Sequence, residues 1–265
     1  MDEEKDFQRK EQARDNNWAK PVRQVRVKDA PADAMNLNVD GRSLVSPLQG
    51  FGQLWQKTFK VRLPGIDLSP AEVMSIWREN FARFQPPENR FIAPVSGGIT
   101  PGEVFLIEAK VPPFPGGPSI LPVSTGVMIL YADETSFTVM NPEGHPLAGW
   151  NTFSVYEEDG CLVAQVHEQS RPNDPLYEVF NRFLGSSKQQ DKIWNTVLTN
   201  LAAHFNVSEQ VSQTTVLIDP RVQWSEARNI WKNAAIRTVF YLIANPGYLF
   251  RRKTPGEEKE QAAQL

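Results

Sequence analysis

The spacing of apolar residues changes near residue 64, and the change predicts a strand followed by a helix. In LWQKTFKVRL, at 54–63, apolar residues occupy alternate positions, which is the period of a strand with one buried face. The following SPAEVMSIWRENFARF opens with a helix-start signal. Ser69 is the candidate N-cap, Pro70 takes the first helical position and Glu72 completes a capping box. We therefore predict a helix that begins at residue 70.

Strand-like segments follow this helix, separated by turns rich in proline, glycine or acidic residues. They are EVFLIEAK at 103–110, VSTGVMILYA at 123–132, SFTVM at 136–140, WNTFSVYEE at 150–158 and CLVAQVHEQS at 161–170. Asp159 and Gly160 join the last two, and an Asp-Gly pair between alternating segments is a strong hairpin signal. We expect NPEGHPLAGW, at 141–150, to be a loop, because its proline, glycine and asparagine residues favour turns.

The period then returns to that of a helix. NDPLYEVFNRFL and KQQDKIWNTVLTNLAAHF predict either one long helix interrupted near Gly185 or two helices. An apolar stripe wide enough to cover a sheet is formed by Ile193, Trp194, Val197, Leu198, Leu201 and Phe205. The order strand, helix, several antiparallel strands and long helix predicts an α+β fold with one sheet covered by the long helix.

Composition divides the chain into four segments. Residues 1–45 contain few apolar residues and mix acids with bases, so we predict a disordered N-terminal arm. Residues 46–207 carry the strands and helices described above and form the predicted domain. We predict a C-terminal amphipathic helical extension over 208–253 and a disordered tail over 254–265.

Residues 224–253 leave two interpretations open. Their apolar end, TVFYLIANPGYLF, is too short and too interrupted to span a membrane, which takes ~20 apolar residues. The helix could lie in a membrane interface, which its aromatic residues and the following Arg251-Arg252-Lys253 cluster suit. It could instead pack on the domain or on a second copy of the chain as a homo-oligomer contact. We prefer packing.

The order of the elements and two short motifs resemble the START-like, or SRPBCC, superfamily, whose fold is called the helix-grip. The motifs are GHPLAGWNTF at 144–153 and SRPNDPL at 170–176, and the resemblance covers roughly residues 50–207. Within the superfamily the chain is similar to an uncharacterised domain-of-unknown-function family with a Gly-His-Pro loop and a Ser-Arg-Pro turn. The resemblance implies a curved antiparallel sheet wrapped on a long C-terminal helix with a cavity between them, but no reaction, because fold does not fix function.

Aromatic residues on the predicted faces are the first candidates for a binding pocket. We expect Phe105, Tyr131, Trp150 and Trp194 to bind a hydrophobic small molecule or lipid, since such pockets are mostly apolar with a few polar groups. The alternative is that these aromatic residues fill the core, as such stripes usually do. His145 is expected in a loop at the rim of the pocket, where no sequence neighbour supplies a catalytic partner.

Two charged residues complete the predicted binding set. Strand alternation places Glu168 on the face of Leu162, Ala164 and Val166, where a carboxylate would bind a ligand or pair with a cation such as Arg171. We expect Glu168 and Arg171 to contact the ligand. The alternative is an enzyme that uses the same cavity for cyclase- or hydrolase-like acid–base chemistry, through Glu168 or His167. No catalytic residue is assigned.

Charge and motif content narrow the function classes further. The net charge of -3 argues against a nucleic-acid partner. One cysteine and three scattered histidines give no spacing for a metal site, and no phosphate-binding or dinucleotide-binding glycine loop occurs, so we expect no metal and no cofactor. The opening MDEEKDFQRK is charged rather than apolar, which predicts a cytoplasmic protein, with peripheral membrane association as the alternative. The expected function is binding of a hydrophobic ligand.

Overall fold

One antiparallel sheet organises the computed structural model, which describes residues 16–28, 30–31, 34–94, 98–111, 121–183 and 186–247. Its strands are β1 Leu54–Leu63, β2 Asn89–Ile92, β3 Val104–Val111, β4 Leu121–Ala132, β5 Ser136–Met140, β6 Leu147–Glu158, β7 Cys161–Pro172 and β8 Ser212–Asp219. They lie in the order β2-β3-β4-β5-β6-β7-β1-β8. The helices are α1 Pro70–Glu79, α2 Pro175–Phe183, α3 Ser186–His204 and α4 Ala234–Ala244.

The local signals at the start of α1 and at the β6–β7 turn are confirmed. The Ser69 hydroxyl accepts from the Glu72 amide at 3.3 Å, and the Glu72 carboxylate accepts from the Ser69 amide at 2.8 Å. Asp159 and Gly160 both adopt positive φ angles, 52° and 68°, as a two-residue hairpin turn requires. The turn thereby fixes the register of β6 and β7, which pair along their whole length.

The main core lies between α1, α3 and one face of the sheet. We call this the inner face; it carries Phe59, Phe137 and Phe153, all fully buried. The apolar stripe predicted on the long helix covers it, because Val197, Leu198 and other members of the stripe are buried in the same cluster. The fold is the predicted α+β helix-grip, and α2 and α3 are separate helices on either side of residues 184–185, which lie outside the described residues.

The prediction of a disordered arm over 1–45 is wrong for much of the segment. Val25 and Val39 are buried on the outer face of the sheet in a second apolar cluster, with Leu106 and Met128 beneath them. Few apolar residues are needed here, because the sheet supplies most of the apolar surface and the arm only covers it. Residues 1–15 lie outside the described residues.

The extension predicted over 208–253 is not helical throughout. It begins with β8, which pairs with β1 at the edge of the sheet, and continues as a 3-10 helix, Trp224–Lys232, before α4. Side chains of β8 are mostly exposed, so its stability comes from backbone pairing that leaves no hydropathy signal. The helix α4 packs on β4 through Ala234, Ala235 and Thr238, as the packing interpretation expected. The predicted tail at 254–265 lies outside the described residues.

Candidate ligand-binding site

A cavity of about 470 Å³ lies between the inner face of the sheet and α2, α3 and α4. Its volume falls in the usual range of small-molecule sites, about 300–1,000 Å³. Most of its wall is apolar and includes aromatic rings from the loop after α1 and from β2, β3, β5 and β6. These rings belong to Phe81, Phe91, Phe105, Phe137 and Phe153. The cavity is a place where the helix stands away from the sheet and the core is incomplete.

The helices α2 and α4 frame the opening of the cavity. Phe240 of α4 lines the cavity and is 67% exposed, so the cavity reaches solvent beside it. The two helices are joined at their first turns. Asp174 accepts from the Leu176 and Tyr177 amides at 2.9 and 3.0 Å, and the Asn233 side chain donates to it at 2.8 Å.

Burial raises the pKa of Asp174 despite these three hydrogen bonds. The Tyr177 hydroxyl accepts from the Ala235 amide at 3.1 Å, and burial raises the pKa of this phenol. The hydrogen bonds of Asp174 and Tyr177 fix the first turns of α2 and α4 relative to each other. Tyr177 also forms part of the cavity wall.

Three of the polar residues in the wall are buried: Thr125 of β4, Asn141 after β5 and Asn151 of β6. One oxygen of each, the hydroxyl of Thr125 and Oδ1 of the two asparagines, has no hydrogen-bond partner among the described residues. Buried polar groups are normally hydrogen-bonded, so we expect these atoms to bind a partner other than the described residues.

His145 lies beside this polar group, in the loop between β5 and β6. Its Nδ1 lies 3.0 Å from both the amide nitrogen and the carbonyl oxygen of Leu147. That carbonyl already accepts from the Asn141 side chain at 2.9 Å, which favours Nδ1 as the acceptor and Nε2 as the protonated nitrogen. Burial lowers the pKa of His145 to about 4, so the ring is neutral at pH 7 and can donate one hydrogen bond from Nε2.

The structure brings Phe105, Trp194 and His145 together at the cavity, whereas Tyr131 and Trp150 are elsewhere. Trp150 lies between Gly149 and the inward-facing Asn151, so strand alternation points it to the outer face. Tyr131 follows an irregularity in β4, contacts the Trp18 ring at 4.7 Å and donates to Asp133 at 2.6 Å. The placement of both residues in the pocket is therefore corrected.

Glu168 lies on the inner face, as alternation predicted, but it holds other side chains rather than facing the cavity. It accepts from Ser170 at 2.5 Å, Gln190 at 2.9 Å and the Trp194 indole at 3.0 Å. Gln190 and Trp194 both line the cavity, so Glu168 positions part of its wall. It is also buried directly opposite Lys57 on β1.

Arg171 does not pair with Glu168, and it is not a cavity residue. It is buried at the end of β7, where its guanidinium lies 3.4 Å from the Asp219 carboxylate of β8. The expected contact of Arg171 with a ligand is corrected accordingly, because Arg171 forms an ion pair with Asp219 of the edge strand β8. His167 points to the outer face and shares a hydrogen bond of 3.0 Å with the Thr58 hydroxyl. Burial lowers the pKa of His167.

Thr125, Asn141 and Asn151 were not predicted as cavity residues, although the sequence carries a signal for two of them. Asn151 shares its strand face with Phe153 and Val155, and Thr125 shares its face with Val123, Val127 and Ile129. A polar residue at an inward position of an alternating strand must find a partner or lose stability. Asn141 carries no such signal, because it follows β5 in what sequence alone identifies only as a turn.

Two further findings concern only the described residues. Among their helices, none combines the length and the apolar character that crossing a bilayer requires. Histidine, cysteine, aspartate and glutamate side chains do not gather there in any group of three or more that could hold a metal ion.

The sheet, the helix packed against it and the cavity between them define the class: an α+β protein of helix-grip fold with a cavity that opens to solvent. No protein-family model matches the chain, and no curated protein matches it. Among solved structures, it is similar to protein Ms6760 from Mycobacterium smegmatis (16% identity, 56% of this chain and 92% of that chain, TM-score 0.37).

It is also similar to Ara h 8.0201 (15% identity, 58% of this chain and 98% of that chain, TM-score 0.39). A third similar structure is norcoclaurine synthase from Thalictrum flavum (9% identity, 60% of this chain and 89% of that chain, TM-score 0.34). At such identities and TM-scores, these likenesses assign the chain neither a ligand nor an activity.

Proposed function

We propose that this chain binds a hydrophobic small molecule or a lipid inside the cavity. The observation that carries the proposal is the cavity itself, which is about 470 Å³, mostly apolar and open to solvent beside Phe240. A void of this size costs stability unless a ligand fills it, because its lining loses contacts. An apolar ligand in the cavity would restore the contacts that the incomplete core lacks.

A fluorescence assay tests this proposal. N-phenyl-1-naphthylamine, a neutral apolar probe, is expected to bind with enhanced emission. Ile107→Trp places a large side chain on the cavity wall and should abolish the signal. Ser154→Trp is the matched control, because Ser154 faces the outer side of β6, and it should bind the probe like the wild type. Equal binding by the two folded variants would show that the probe does not occupy the cavity.

Acid–base catalysis in the same cavity remains the alternative, with less support from the geometry. His167 faces away from the cavity, and the oxygens of Glu168 accept hydrogen bonds from three side chains. Both residues named for such chemistry thus have structural partners. Binding without turnover is therefore the function we put forward. Membership in the domain-of-unknown-function family with the Gly-His-Pro loop is likewise a proposal.

Exposed apolar residues around the opening support a second candidate, ligand exchange at a membrane surface. Phe183 of α2 is 71% exposed, and Phe240 and Ile243 of α4 are 67% and 72% exposed. Large exposed apolar side chains on the helices that frame an opening are typical of a contact with a partner or a membrane. Phe183→Ser/Ile243→Ser should lower co-sedimentation with phosphatidylcholine vesicles. Unchanged co-sedimentation together with a loss of dimer in sedimentation velocity would assign the patch to a homo-oligomer contact instead.

A further inference from the structure

The three buried polar residues of the cavity wall, Thr125, Asn141 and Asn151, form a row across three neighbouring strands. Met140 of β5 pairs with Met128 of β4 on one side and with Trp150 of β6 on the other. Asn141 follows Met140 directly, so Thr125 and Asn151 are its diagonal neighbours on the same face. Diagonal neighbours in a sheet lie about 7–8 Å apart, which lets their side chains contact one ligand.

The row is buried and partly unsatisfied. Thr125, Asn141 and Asn151 are 4%, 1% and 7% exposed, and an oxygen of each has no partner among the described residues. Asn141 is oriented by its own donor, because its Nδ2 donates to the Leu147 carbonyl at 2.9 Å. Its Oδ1 is an acceptor without a donor among the described residues.

The row offers a defined hydrogen-bonding chemistry. Two amide oxygens accept, the Thr125 hydroxyl both accepts and donates, and the neutral His145 ring donates from Nε2. Lys110 is the only lysine or arginine among the described residues of the wall, and it is exposed at the end of β3. No carboxylate is among the wall residues that the structure describes. A ligand buried against this row gains most if it is uncharged and rich in hydroxyl groups.

We infer that Thr125, Asn141, His145 and Asn151 form a polar subsite that binds the hydroxyl groups at one end of a neutral, otherwise apolar ligand. The inference rests on the proposed function, since the same cavity must take the apolar part. The subsite narrows the class of ligand. Its acceptors favour ligands with hydroxyl donors and disfavour a carboxylate, because the carboxylate oxygens would face the two amide oxygens.

Two probes that differ only in hydroxyl groups test the inference, biphenyl and 4,4′-dihydroxybiphenyl, with dissociation constants measured by calorimetry on the full chain. The wild type should bind the dihydroxy compound about tenfold more tightly, the value of one or two hydrogen bonds. Thr125→Val/Asn151→Leu should reduce the preference to about twofold or less and leave biphenyl binding at least as tight.

Thermal unfolding without ligand provides a second readout. Thr125→Val and Asn151→Leu replace orphaned polar groups with apolar groups of similar shape, so each should keep or raise the melting temperature. Ser124→Ala is the control, because the Ser124 hydroxyl, on the opposite face, donates to the Met35 carbonyl at 2.7 Å, and its loss should lower the melting temperature.

The outcomes separate the two claims. Tight binding of both probes without preference, a preference that survives the double variant, or a lowered melting temperature in both single variants would each overturn the subsite and leave the apolar cavity standing. Binding of neither probe, together with no effect of Ile107→Trp on N-phenyl-1-naphthylamine, would overturn the proposed function and the subsite with it.

Discussion

Acidification should destabilise this protein through His145, and the size of the effect follows from its environment. Burial lowers the pKa of His145 to about 4, whereas a histidine in the unfolded chain titrates near 6.5. Between these values the unfolded chain binds a proton that the folded protein does not. The free energy of unfolding therefore rises with pH in this window, and stability is lost as the pH falls from about 6.5 to about 4.

The magnitude follows from the two pKa values. One pH unit within the window is worth about 1.4 kcal/mol for one group, so acidification from pH 7 to pH 5 costs about 2 kcal/mol through His145 alone. Over the whole window the cost approaches about 3 kcal/mol. For a domain stabilised by only about 5–15 kcal/mol, this is a large share.

Urea denaturation at pH 7 and pH 5 measures this contribution when the wild type is compared with His145→Asn. The asparagine side chain can still accept from the Leu147 amide through its oxygen, yet it does not titrate. The wild type should lose about 2 kcal/mol more than the variant between the two pH values. Other carboxylates and His167 titrate in both proteins and cancel in the comparison. An equal loss in the two proteins would refute a neutral His145 with a lowered pKa in the folded protein.

Three other substitutions test the packing of the β5–β6 loop, of the cavity wall and of the arm on the outer face. Gly144→Ala should lower the free energy of unfolding in urea by about 3 kcal/mol, because φ is +85° and a Cβ would lie 2.0 Å from the Lys232 carbonyl oxygen. Gly65→Ala is the control: φ is +73° but the space around a Cβ is open, so the free energy of unfolding should fall by only about 1 kcal/mol. Glu168→Leu should lower the free energy of unfolding by about 1–3 kcal/mol and shift the indole fluorescence, because the Trp194 indole and other donors lose their acceptor. Glu168→Gln keeps an acceptor and should lower the free energy of unfolding by less. Equal losses in the two variants would contradict the role of Glu168 as a hydrogen-bond acceptor for the cavity wall. Val39→Ala should cost about 1–3 kcal/mol in thermal unfolding if the arm is part of the fold, and a neutral result would return the arm to the disordered class.

The strands were predictable where a strand buries one face and exposes the other. In β1, the alternation of Phe59, Val61 and Leu63 identified the inner face, and β6 and β7 carried an additional turn signal. By contrast, β8 exposes both faces, and β2 has only four residues, so neither produces a hydropathy period. Their stability depends on backbone pairing with a neighbouring strand, which a one-dimensional pattern does not reveal.

The binding site was less predictable because alternation separates two faces without saying which one is inner. Trp150 illustrates the problem, since large aromatic residues occur on both faces of this sheet. The outer face is partly covered by the arm, so buried residues such as Leu106 face outward as well. Apolar character therefore does not identify the cavity. The residues that identify it are polar ones at inward positions, such as Asn151, because only a ligand or an internal partner satisfies them.

Asn38 and Asn141 show that a buried asparagine of this chain can be fully hydrogen-bonded or left with an unpartnered oxygen. Buried atoms without a partner among the described residues also occur outside the cavity, such as Gln85 Oε1 and Glu178 Oε2, but those of Thr125, Asn141 and Asn151 line one cavity wall. Asn38 is also 1% exposed, but its Nδ2 donates to the Ser124 carbonyl at 2.8 Å and its Oδ1 accepts from Arg237 at 3.1 Å. It joins the arm to β4 and α4. Asn141 is equally buried, and its Oδ1 accepts no hydrogen bond from any residue that the structure describes. Since the fold can satisfy a buried amide completely, leaving one open beside a cavity lowers stability without a structural return. That loss is the kind a protein bears at a site where a ligand completes the hydrogen bonds.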